Sequence, residues 1–127
     1  MPNDHDIQKT LELLLQLRSL FETRAGGSED LASLRRVREL GTMATREVPD
    51  VYCRIRLGEL ENYADALFSD RKHQQWARRS ASGVLSLRHK SYATLDALER
   101  RLHLILAARQ RAVGKAVLER AAEDPGP

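Results

Sequence analysis

From Trp76 to Val117 the apolar side chains keep a single helical phase. At about 100° per residue, Trp76, Val84, Leu87, Leu95, Leu98, Leu102, Ile105, Leu106, Val113 and Val117 return to roughly one side of the projection. A period of 3.6 sustained over that length excludes a sheet from this part of the chain. The one stretch that alternates like a strand is Val51, Cys53, Ile55 and Leu57 against Tyr52, Arg54 and Arg56. It has no second strand anywhere to pair with, and an isolated strand leaves its backbone groups unsatisfied. Cys53, Leu57, Leu60, Ala64 and Leu67 also fall at helical spacing, so the chain reads as all-α throughout.

The expected elements follow from caps and breakers. A first helix is predicted over about Asp4 to Arg24, opened by Asp4 or Asp6 and ended by Gly26-Gly27. Ile7, Leu11, Leu14 and Phe21 form one stripe on it, and Leu13, Leu17 and Leu20 form a second beside the first. The apolar arc is roughly 200° wide, broader than the stripe of about 100° that one packing neighbour requires. This helix therefore has more than one partner: either the centre of an intramolecular bundle, or a bundle helix that also carries a subunit interface at Leu13, Leu17 and Leu20.

A second helix is predicted from an N-cap at Ser28, with Leu31, Leu34, Val37, Leu40 and Met43 inward, stopped by Pro49. A third runs over about Asp50 to Ser69. Its Leu57, Leu60, Ala64 and Leu67 face opposes the Trp76, Val84 and Leu87 face in projection, which places a break at Ser69-Asp70, with Asp70 as N-cap. An unbroken helix from Asp70 to Arg120 spans about 75 Å at 1.5 Å per residue, so a break or sharp kink is expected at Ser82-Gly83 or between Ser91 and Thr94. The fold expected is an antiparallel bundle of four or five helices. It forms a single domain over residues 1–122, followed by a flexible acidic Pro/Gly tail over 123–127.

Length and composition agree with one domain that has a modest core: 127 residues, 42% hydrophobic and 31% charged. The most apolar run, Leu11 to Leu17, is interrupted by Glu12 and Gln16 and falls short of the roughly 20 residues a membrane span needs. The N-terminus carries Asp4 and Asp6 where a signal peptide carries lysines and arginines. With Cys53 as the lone cysteine, no intramolecular disulfide exists, and a reducing, cytoplasmic setting is expected.

Charge is unevenly spread. Arg71, Lys72, Arg78, Arg79, Arg88, Lys90, Arg100, Arg101, Arg109, Arg111 and Lys115 lie between Arg71 and Leu118, opposed there only by Asp96 and Glu99. Ten of these, all but Arg109, are candidates for contact with a polyanion such as DNA or RNA, whose phosphates a guanidinium meets in bidentate fashion. The plainer reading is that they are solvated, or paired with acids from the first half of the chain. Arg109 projects into the stripe of Leu102, Ile105, Val113 and Ala116. It is either an edge residue with its stem buried, or it pairs with a carboxylate and fixes register between helices.

Catalytic chemistry finds no footing. Among His5, His73, His89 and His103 no pair has metal-site spacing on a helix, and Glu99 with His103 is the nearest approach to one. Cys53 lies on an apolar stripe and reads as a small buried hydrophobe. There is no glycine-rich phosphate loop and no nucleophile with a neighbouring base, so no enzyme activity, cofactor or metal is expected. The expected function is non-enzymatic. Its leading form is protein–protein contact in an adaptor or regulatory role, with another protein chain as partner and self-association into a homo-oligomer. The alternative is nucleic-acid binding through the basic face of residues 71–115.

Overall fold

Two aspartates start helices in the same way. Asp30 accepts from the Ser33 backbone N–H at 3.1 Å, and Asp50 accepts from that of Cys53 at 3.1 Å, each satisfying an amide that the helix leaves open. A computed structural model describes residues 4–24, 29–69 and 81–123, and within them four helices. These are α1 (His5–Thr23), α2 (Leu31–Glu47), α3 (Val51–Phe68) and α4 (Ala81–Glu123). There is no strand among the described residues, and the alternating stretch at Val51 to Leu57 is the start of α3.

α1 packs on α2, α2 on α3, α3 on α4, and α4 back on α1, closing a ring. Contacts at the helix ends fix the directions. Lys9 of α1 pairs with Glu47 of α2 at 2.8 Å, so the start of one lies beside the end of the other. The Asp30 backbone N–H donates to the Phe68 carbonyl at 2.8 Å, which sets α2 against α3 in the same sense. Arg88 donates to the Arg24 carbonyl at 2.6 Å and Arg109 to Asp6 at 2.9 Å, so α4 runs opposite to α1. The topology is up-down-up-down, as short connections between neighbours favour.

The core is built from the inward stripes. Ile7, Leu17, Phe21, Leu40, Leu60, Leu67, Phe68, Leu95, Leu98 and Leu102 are essentially sealed from solvent. Each such side chain contributes roughly 1.5–3 kcal/mol through burial. Phe21 and Phe68 meet at 6.2 Å between centroids, a tilted pair that closes the end opposite the α2–α3 turn.

Several expectations change. Leu13 and Leu17 are only 3% and 1% exposed, and Leu20 is half-buried against the core. The wide arc of α1 is consumed inside the bundle, because this helix sits between α2 and α4 with Phe68 of α3 across from Phe21. Leu13 and Leu17, expected at a subunit interface, are instead taken up by the core of one chain, and Leu20 is left partly exposed. α2 begins at Leu31 with Asp30 as its cap, two residues after the expected cap at Ser28. The expected cap at Ser28, the Gly26-Gly27 stop, the Asp70 cap and residues 124–127 of the tail lie outside the described residues.

α3 ends at Phe68 with Ser69 as C-cap, where the phase argument placed the end. No break occurs between Ser91 and Thr94, and Gly83 is already inside α4, which is one uninterrupted helix of 43 residues. Ser91 is fully buried with its hydroxyl donating to the Leu87 carbonyl at 2.8 Å, and Thr94 is also buried. They are small residues where helices approach, not a hinge. No helix among the described residues is long and apolar enough to cross a membrane.

Candidate functional site

α4 is far longer than the helices it packs against. At 1.5 Å per residue its 43 residues extend about 65 Å, against about 25 to 30 Å for each of the others. Its overhang lies beyond the end of the bundle where α1 and α3 start. Leu102 is sealed, Ile105 and Leu106 are half-buried, and every side chain described from Gln110 to Ala121 is exposed. Residues 111–123 form an arm.

Two arginine–aspartate forks mark where the arm begins. Arg101 donates twice to Asp50, at 3.1 and 2.9 Å, tying α4 to the capping residue of α3. Arg109 donates twice to Asp6, both at 2.9 Å, and lies 3.5 Å from Asp4, tying α4 to the first turn of α1. A planar guanidinium meeting both carboxylate oxygens sets position as well as charge. The two arginines lie eight residues apart, about 12 Å along the axis and about 80° around it, matching the placement of α3 and α1 on either side.

The forks shift the acids they hold. The Arg101 hydrogen bonds, helped by the Cys53 amide and opposed by partial burial, hold the Asp50 carboxyl at about 2. Asp6 lies below the usual carboxylate range, first through Arg109. The Asp30 carboxyl is likewise lowered, by the Ser33 hydroxyl and amide. Burial beside Asp50 pushes the Cys53 thiol up to about 12, so it is a protonated core group.

Arg109 is partly exposed and its head is paired with carboxylates. The apolar stripe on which it sits continues past it. Val113, Ala116 and Val117 repeat the phase of Leu98, Leu102 and Leu106, but Val113 is 40% and Val117 59% exposed. Leu118, on another face of the arm, is 72% exposed. A second apolar surface lies between α1 and α4, where Leu11, Leu14, Leu15 and Leu95 line a shallow groove edged by Arg18, Glu99 and His103. Arg18 is engaged there with Asp96 at 2.6 Å.

The basic candidates are divided rather than gathered. Arg71, Lys72, Arg78 and Arg79 lie outside the described residues. Arg101 is held by Asp50, and Arg88 donates to the end of α1. Lys115 approaches Glu119 at 3.8 Å along the same helix. Lys90, Arg100 and Arg111 are exposed on the outward side of α4. His103 and Glu99 approach at 3.8 Å on the surface. No group of three or more potential metal ligands occurs among the described residues.

Sequence reasoning missed the arm and the acids at its root. Asp4, Asp6 and Asp50 carried a signal only as helix-start residues, and their pairing with α4 is a tertiary fact. The arm had a signal in the unbroken phase up to Val117. Compared with protein-family models, with curated proteins and with solved structures, the chain matches none.

Proposed function

We propose that the chain is a non-enzymatic docking protein that acts through contact with another protein chain, and that the arm of α4 is its working surface. The observation that carries this reading is the apolar stripe of Val113, Ala116 and Val117, which stays in phase with the core after the bundle has ended. A solvent-exposed helix has no use for a stripe in register with a core, whereas a helix that packs on a partner needs one. The four-helix base supplies rigidity, and the two forks fix the angle at which the arm leaves. A reducing, cytoplasmic location belongs to the same reading, supported by a lone cysteine kept protonated and buried.

The test is photo-crosslinking in the organism that makes the chain, with a photoreactive residue placed either at Val117 or at Ala93 on the outward face. A discrete protein adduct from position 117, absent from position 93, is the expected result. Equal labelling from both, or none from either, removes the proposal.

A second reading has one observation in its favour. Lys90, Arg100, Arg111 and Lys115 are exposed within about 80° of one another around α4, and Asp96, one turn before Arg100, is engaged by Arg18 of α1. Such a stripe suits the phosphates of DNA or RNA, with affinity that falls steeply as salt rises. Retention on random-sequence duplex at low salt, lost in a variant combining Arg100→Glu, Arg111→Glu and Lys115→Glu, is the result that reading expects. Binding indifferent to those changes eliminates it.

A further inference from the structure

The root of the arm carries an unbalanced charge. Asp6 and Asp4 face the single guanidinium of Arg109, at 2.9 and 3.5 Å, so two carboxylates share one cation. Farther out on the same stripe, Arg120 is exposed, with no partner among the described residues. The surplus anion and the spare cation cannot meet within one chain, because about eleven residues of rigid helix, roughly 16 Å, separate their levels.

Resting on the reading of the arm as a docking element, we infer that its occupant is the arm of a second copy of this chain. The two arms lie antiparallel across a two-fold axis, with Val113 of each facing Val117 of the other. That alignment places Arg120 of one copy level with Gln110 of the other, one residue from Arg109. Two carboxylates then meet two guanidiniums at each end of the interface. Arg109 and Arg120 both lie toward the same side of the stripe, which an antiparallel two-fold pairing brings together.

Arm length agrees with this arrangement. The centre falls at Lys115, about 9 Å from Arg109 along the axis and about 9 Å from Ala121. Carried to Glu123, each arm brings its last residues level with the first turn of α1 in the other bundle, where the surplus carboxylates lie. A parallel pairing sets Arg120 against Arg120 and leaves both surplus carboxylates unanswered, so electrostatics select the antiparallel sense. The contact spans only some three turns of helix, smaller than the roughly 1,200–2,000 Å² of a standard stable interface, so a dissociation constant on the order of micromolar is expected.

Sedimentation equilibrium of the full chain, from about 1 to 200 μM, tests the pairing. A reversible monomer–dimer equilibrium is the expected result, abolished by Val113→Asp with Val117→Asp and weakened at least about tenfold by Arg120→Glu. Spin labels on a Leu104→Cys variant test the sense, since the buried Cys53 stays unlabelled in the native fold. Antiparallel arms place the two labels about 33 Å apart along the axis and roughly 40 Å apart in all, whereas parallel arms leave only the lateral separation, under about 30 Å.

A chain that stays monomeric throughout, a dimer untouched by the Val113 and Val117 changes, or a short distance at position 104 each overturns the inference. If position 117 still crosslinks to a different protein while the purified chain is monomeric, the arm keeps its docking role and only its occupant is changed. Loss of that crosslink as well removes the reading beneath it.

Discussion

Asp50 performs two tasks with one carboxylate: it caps α3 through the Cys53 amide and accepts both donors of Arg101. Its carboxyl is held at about 2 in the fold, below the usual value near 3.9 in an unfolded chain. A depressed carboxylate adds stability that is fully present above about pH 4 and lost as pH falls toward 2. Asp6 and Asp30 are shifted in the same direction and lose their contributions on the same side. Urea unfolding followed by circular dichroism is therefore expected to show stability dropping steeply between pH 4 and 2. Asp50→Asn keeps a capping side chain but not the charge, and should flatten part of that slope. Asp50→Ala also removes the cap and should cost about 1 kcal/mol more at pH 7. Cys53 gives a separate readout. Buried and held protonated to about 12, it should resist alkylation at pH 8 and react only as fast as the chain opens. Rapid labelling of the folded protein contradicts this placement. Sequence alone singled out Arg109, an arginine on an apolar stripe, and it placed Asp4, Asp6 and Asp50 at helix starts. It did not join them, because a fork between residues 103 apart depends on how whole helices pack.

At the level of elements, the periodicity of apolar residues was a sound guide to helix type and to the end of α3, and a poor guide to where chains must bend. α3 occupies Val51–Phe68 as its spacing requires, with Asp50 capping it. The start of α2 moved from Ser28 to Asp30, since both residue types cap well and only packing chooses between them. The expected interruption between Ser91 and Thr94 failed for a physical reason. Small polar residues mark hinges when they face water, but Ser91 faces the core and returns its hydroxyl to the Leu87 carbonyl. Its small volume is the property that matters. Ser91→Ala should leave stability within about 0.5 kcal/mol, since the Leu87 carbonyl keeps its place in the helix. Ser91→Leu should destabilise by about 1–3 kcal/mol through overpacking, read as a lower urea midpoint at unchanged slope. Were both variants equally harmless, α4 would not be tightly packed at this level. The length limit on a single helix concerned residues 70–120; α4 is continuous from Ala81 to Glu123, and residues 70–80 lie outside the described residues.

At the scale of the whole molecule, the described residues divide into a packed base and an exposed arm. Among the described residues, every member of the sealed core lies at or before Leu102, and the last cross-helix tie is Arg109. A chain ended after Gln110 should therefore unfold within a few degrees of the full chain at submicromolar concentration, where neither is paired. Leu98→Ala in the base should by comparison cost about 2–5 kcal/mol, because it opens a cavity among residues with no solvent access. The arm by itself is a short exposed helix containing Gly114, which costs it about 1 kcal/mol relative to alanine. Its amides beyond Gln110 should exchange rapidly in the monomer and slow as concentration rises. The same coupling reaches the thermal midpoint. Association that requires the folded base and arm raises the midpoint with concentration by mass action, so the full chain should become more heat-resistant from about 1 to 200 μM while the shortened chain stays constant. A shortened chain with the same concentration dependence locates self-association on the base instead. A shortened chain that is much less stable at every concentration shows that the arm packs against its own bundle.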